Sequence, residues 1–186
     1  MKKYIFLDVE TTGLSPHKGD RIIEIGCVEV INGFLTGRVF HSYFKNNAEI
    51  SIEAFQIHGI NKNFLQDKPF FYEKIDDFLG FINNSIIVAH NAKFDVNFLH
   101  YEINQCGGDA DEFYEKNFFL DSLEIARKMF PKQRNDLDSL CKRFNILNNF
   151  LREKHSALID AWLLALVINK MGFFEKKKMN ECNKNI

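Results

Sequence analysis

The sequence predicts a single α/β domain built on a mixed sheet, and three observations carry that prediction. Three β-rich runs follow one another with no helical pattern between them. Helical and strand patterns then alternate along the rest of the apolar sequence. Finally, 186 residues at 46% hydrophobic content suffice for one sizeable core and are short for two.

Residues 4–9 read as a buried first strand and 22–31 as a second, rich in β-branched residues, with Gly13, Pro16 and Gly19 punctuating the stretch between them. Asn32-Gly33 is a hairpin signal, and residues 35–44 complete an antiparallel meander. Residues 51–56 and 69–83 then carry apolar side chains at helical spacing, while the short apolar run 86–89 suits a central parallel strand. Further helices are expected over 94–102, 122–130, 137–144 and 157–171, with a short strand at 118–120. Beyond Gly172 the sequence turns to Glu175-Lys176-Lys177-Lys178 and then polar residues, too little apolar surface to order itself. The expected division is therefore a domain over 1–172 and a disordered polar tail over 173–186.

Charge and cysteine usage narrow the function classes. A formal net charge of −1 argues against a protein that coats nucleic acid nonspecifically, so any such contact should be local. Cys27, Cys106, Cys141 and Cys182 form no C-x-x-C pair, which leaves neither a zinc site nor a disulfide framework and suits a reducing cytoplasm. The N-terminus lacks the apolar core and cleavage site of a signal peptide, and the longest apolar stretch, 161–168, is too short to span a bilayer. A cytoplasmic protein with no membrane partner is expected.

The chemistry concentrates in a few carboxylates. Asp8 and Glu10 lie two apart in the first strand, so their side chains share one face while Leu7 and Val9 take the other. Two adjacent anions on an apolar strand are costly unless a cation neutralises them, and carboxylate oxygens suit a hard divalent ion such as magnesium or manganese. Taken alone, the pair also fits a strand end that faces solvent. The turn Thr11-Thr12-Gly13-Leu14 places it at the strand's C-terminal end, where open α/β sheets present their ligands.

Asp160 sits in an otherwise apolar helix, where an uncompensated carboxylate is expensive to bury and a metal is the favoured partner. On one continuous helix His155 would lie about 140° around the axis from it. If the helix starts near Ser156, His155 falls in the preceding loop, free to swing to the same site; alone, it also fits a surface histidine. Asp95 follows the short strand at 86–89 through His90-Asn91-Ala92-Lys93-Phe94, a placement that also suits a charge favourable to a helix N-terminus.

In order, Asp8, Glu10, Asp95, His155 and Asp160 match the signature of the DEDDh group of 3′→5′ exonucleases, which the chain resembles from about Tyr4 to Lys170. Within that group it is most similar to the epsilon family, the proofreading subunits of bacterial DNA polymerase III. The stretches carrying that likeness are Leu7-Asp8-Val9-Glu10-Thr11-Thr12-Gly13-Leu14, Ile22-Ile23-Glu24-Ile25-Gly26, Ile57-His58-Gly59-Ile60 and Ala126-Arg127-Lys128-Met129-Phe130-Pro131. The last two favour this family over relatives that trim RNA.

The resemblance implies an RNase H-like fold, a mixed five-stranded sheet with helices on both faces. It implies two divalent ions, Mg2+ or Mn2+, about 4 Å apart and held by Asp8, Glu10 and Asp160, with Asp95 assisting directly or through water. His155 would take the proton from the attacking water, a role suited to an imidazole of unperturbed pKa about 6.5, so activity should rise through near-neutral pH. Glu53 and His58 match positions that contact the terminal nucleotide, with Thr11 and Leu14 against its sugar and base; His58 also fits a helix-end histidine tied to local backbone. The implied substrate is the 3′ end of single-stranded or frayed DNA, with mismatches selected by easier fraying. The implied partners are the polymerase III alpha subunit, a theta-like accessory subunit and the sliding clamp. The family usually continues through a linker to a polymerase-binding segment with a clamp motif; neither is read up to Ile186, so these partners are weaker expectations than the nuclease activity.

Overall fold

The computed structural model describes residues 2–146 and 154–174. Five strands, β1 (Lys3–Thr11), β2 (Ile22–Ile31), β3 (Phe34–Tyr43), β4 (Ile86–Ala89) and β5 (Phe118–Asp121), form one sheet of order β3-β2-β1-β4-β5. β1 pairs antiparallel with β2 and parallel with β4, and β4 pairs parallel with β5, so the sheet is mixed as the sequence predicts. Asn32 and Gly33 both take positive φ in the two-residue turn between β2 and β3, the geometry that matches the twist of the flanking strands.

Eight helices complete the described fold: α1 (Ile52–His58), α2 (Lys62–Leu65), α3 (Ile75–Ile82), α4 (Ala92–Gln105), α5 (Ala110–Lys116), α6 (Ser122–Met129), α7 (Leu137–Arg143) and α8 (Ala157–Lys170). Alternation along β1 divides the core in two. Tyr4 and Phe6 face α6, α7 and α8 through Ala126, Leu140, Ala161 and Leu164. Ile5, Leu7 and Val9 face α3, α4 and α5 through Phe78, Phe98 and Phe113. Helices thus cover both faces of the sheet.

Three local differences have physical causes. The expected helix over 69–83 is broken: a 3-10 turn at Phe71–Glu73 precedes α3, and Lys74 leaves helical geometry between them. Two short helices escaped the periodicity argument, α2 and α5, because four and seven residues are too few to display a stripe. Their caps were in the sequence, since the Asn61 side chain accepts from Phe64 N–H and the Asp109 side chain from Asp111 and Glu112 N–H. Lastly, order runs past the expected boundary at 172: Phe174 is buried, with its ring 5.2 Å from Tyr4 and 6.4 Å from Phe6. The remainder of the expected tail, 175–186, lies outside the described residues. No described helix is long and apolar enough to cross a membrane.

Candidate active site

The site forms where the C-terminal end of β1 meets the start of α8. Asp8 stands opposite Gly26, and Glu10 opposite Glu24, in the β1–β2 register. Gly26 is what lets the helix in: a Cβ there would lie 2.1 Å from the amide nitrogen of Leu158, so only hydrogen fits between β2 and the first turn of α8. That contact lays Asp160, on the same turn, over β1, where it is buried.

Asp160 N–H donates to the Ser156 carbonyl at 2.9 Å, the first bond of α8, and His155 precedes the helix outside any regular element. His155 is nonetheless held. Its N–H donates to the Ile57 carbonyl of α1 (3.1 Å), and its Nδ1 lies 3.0 Å from Asp160 Oδ2. Coordinating atoms of Glu10, His155 and Asp160 all fall within 4.8 Å of one another.

Asp95 approaches from the other side of β1. β4 ends at Ala89, and Asn91 just beyond it, with a left-handed backbone (φ 68°), turns the chain into α4 while its N–H donates to Asp121 Oδ1. This puts Asp95 on the first turn of α4, buried, where its carboxylate accepts from its own N–H and that of Val9. Burial first, then the charge of Asp8, push the Asp95 carboxyl well above the usual carboxylate range; the two backbone donors oppose this and Glu10 adds to it. Crowded, partly buried carboxylates of this kind suit a divalent cation, and the donor set is all oxygen apart from one imidazole.

The turn after β1 is braced by a residue that sequence reading passed over. Asp20 Oδ2 accepts from Ser15 N–H at 2.9 Å, and its carboxylate fills the space beside Gly13, where a Cβ would meet it at 2.4 Å. Thr12 is fully buried, its hydroxyl accepting from Arg21 N–H, and its carbonyl accepts from Ser51 N–H, tying the turn to the start of α1. Thr11 Oγ1 bonds back to the Gly13 carbonyl, while Leu14 is left 84% exposed at the tip. Glu53 is exposed on the first turn of α1. His58 is buried at the helix end; its Nδ1 accepts from Ile60 N–H at 2.9 Å, the local backbone tie anticipated as an alternative, and the Thr11 backbone lies near its ring. Burial lowers its pKa, against the Thr11 carbonyl, which raises it.

The chain matches the Exonuclease (RNase T) family over residues 5–168. It belongs to that family. Among curated relatives, it is 48% identical over 183 residues to the DNA polymerase III subunit epsilon of Buchnera aphidicola subsp. Baizongia pistaciae, covering 95% of this chain and 74% of that one. The same-named protein of Salmonella typhimurium is 46% identical over 169 residues, covering 89% and 69%. Exonuclease I superposes with a TM-score of 0.81 at 16% identity, over 93% of this chain and 41% of that longer one, which supports the fold. Exonuclease X, solved with 5′-overhanging duplex DNA, superposes with a TM-score of 0.64 at 25% identity, over 93% and 92%. The chain is thus a 3′→5′ exonuclease of epsilon type on an RNase H-like fold, and divalent-metal use comes with the family.

Proposed function

We propose that this exonuclease removes mismatched 3′-terminal nucleotides from DNA as the proofreading subunit of a replicative polymerase. The observation that carries the assignment of residues is the convergence of Glu10, His155 and Asp160 at the end of β1, with Asp8 and Asp95 close enough to repel one another. Asp8, Glu10 and Asp160 would hold two divalent ions, with Asp95 bound directly or through water. When bound, those ions supply Lewis acidity to the scissile phosphate and charge stabilisation to the leaving 3′ oxygen.

The chain's own groups do the rest. Water attacks phosphorus and gives up a proton as the bond to the penultimate nucleotide's 3′ oxygen breaks; that oxygen is protonated, and a 5′-nucleotide leaves. With Nδ1 donating to Asp160, Nε2 of His155 is the nitrogen that accepts the proton. The Thr11 to Leu14 turn would lie against the terminal sugar and base, with exposed Leu14 beside the base, and Glu53 and His58 would contact the terminal nucleotide. Magnesium fits the all-oxygen carboxylate set, with manganese as the alternative ion. The near-neutral charge agrees with a single-phosphate grip on a frayed end delivered by a polymerase. The epsilon name of the relatives makes the polymerase III alpha subunit the first partner to test, with a theta-like subunit and the sliding clamp after it.

The deciding experiment is nucleotide release from a 3′-mismatched DNA primer and from RNA of the same sequence, with magnesium or manganese. His155→Ala should lower kcat by ~10²–10⁴, the span of general-base contributions, and Asp8→Ala should be at least as damaging. Equal or faster trimming of the RNA would remove the proofreading assignment.

A further inference from the structure

Behind the carboxylates lies a second polar cluster. Glu24 of β2 is fully buried directly opposite Glu10, and one of its two carboxylate oxygens, Oε1, serves both Ser156 Oγ at 2.9 Å and His41 Nε2 at 2.8 Å, with the Tyr43 hydroxyl beside Glu24 and Ser156. Ser156 is the residue before α8, the place where a serine hydroxyl ordinarily accepts from the helix's own first N–H groups. Here it makes no such cap. Its hydroxyl is turned away from the helix and donated across 132 residues of sequence to β2.

We propose, building on the exonuclease reading above, that Glu24 is a positioning residue which, through Ser156, fixes the His155–Ser156 turn and so aims the His155 ring at the reacting water. The segment entering α8 hangs from three points. Lys154 Nζ donates to the Gln56 carbonyl (2.7 Å), His155 N–H to the Ile57 carbonyl (3.1 Å), and Ser156 Oγ to Glu24. The first two tie it to α1, a seven-residue helix outside the sheet. Only the third, among these, ties it to the sheet that carries Asp8 and Glu10. Losing it leaves the His155 backbone referenced to α1 and its ring held only through Asp160, and a displacement of about 1 Å in a reacting group can cost up to about 100-fold in rate.

The test compares Ser156→Ala, Glu24→Ala, the double variant and His41→Ala. Release of nucleotides from a single-stranded DNA oligonucleotide with magnesium gives kcat and KM, thermal melting gives stability, and the metal-free protein's His155 ring signal is read by 1H–15N NMR. Ser156→Ala should lower kcat ~10-fold with KM within about twofold and should shift or broaden the ring signal. The double variant should be no worse than Glu24→Ala, as expected of two groups acting through one bond. His41→Ala leaves the Ser156 bond in place and should keep kcat within about twofold even where melting falls. An unchanged kcat and ring signal in Ser156→Ala, losses that add in the double variant, or a His41→Ala loss equal to that of Ser156→Ala would each overturn the assignment. If Glu24→Ala does not fold, Ser156→Ala, a bare hydroxyl deletion, still decides it. A wild type that releases no nucleotide would sink the exonuclease reading instead, and the ring signal would decide the positioning role separately.

Discussion

Asp95 bears a heavy electrostatic load, because it is buried beside Asp8 and within reach of Glu10. A raised carboxyl pKa means the folded, metal-free protein resists that charge, so removing it should help the fold while harming the site. Asp95→Asn is therefore expected to raise the melting temperature in EDTA and to shrink the further rise on adding magnesium; a lower melting temperature in EDTA would show that the two backbone bonds outweigh the repulsion. His58 and His90 carry the opposite sign. Burial holds both below the ordinary imidazole value, so the unfolded chain takes up protons first as pH falls below about 6.5. Their contribution is complete above that pH and is lost as pH falls through the folded-state values. Stability should drop between pH 7 and pH 5, and His90→Gln, which removes one of the two titrations, should flatten the drop; an equally steep profile in the variant would exclude His90 as a source. His90 Nδ1 bonds Ser122 Oγ, so the substitution should also lower stability at pH 7.

At the scale of elements, the approach of α8 to the sheet decides whether a site exists. That helix is apolar almost all round, burying Ala161, Leu163, Leu164, Ala165, Val167 and Ile168, and Gly26 sets how close it comes. Gly26→Ala places a methyl against the backbone of residues 157 and 158, where no rotamer can relieve it. The helix must lift, with an expected cost of ~1–3 kcal/mol or more as for other overpacked cores, and Asp160 lifts with it. Calorimetry should show the lost stability, and titration with manganese a weakened affinity; full affinity alongside lost stability would separate the packing role of Gly26 from any role in metal binding. The sequence made the face of Asp8 and Glu10 legible, because strand alternation is strict, and its helical pattern over 157–171 placed Asp160 on a first turn with His155 before it. It left Glu24, Asp20 and Gly26 unassigned although Glu24 and Gly26 stood within a recognised stretch. Their partners are Ser156, the Gly13 turn and Leu158, and two of these contacts join segments more than 100 residues apart that no local pattern connects.

Across the whole molecule, the proposed metal assignment would couple the ion to the fold. β1 is the centre of the sheet, flanked by β2 and β4, and the residues meeting Asp8 and Glu10 come from α4 and from α8, which pack on opposite faces. A cation held by them would link residues from both layers, and because the unfolded chain has no such cluster, its binding free energy would become folding free energy. At a free concentration of 100 times Kd the gain is about 2.7 kcal/mol, worth roughly 5–10 °C for a domain of this size. The fold should survive in EDTA, since the two apolar clusters on either side of the sheet do not include these residues, while nucleotide release should cease. Melting followed in EDTA, then with magnesium, should therefore show a folded protein in both and a higher transition only with the ion. Asp8→Ala should melt no lower than wild type in EDTA and gain much less from magnesium. An Asp8→Ala protein that gains as much as wild type would move the metal away from the end of β1 and with it the chemistry assigned to Glu10, His155 and Asp160.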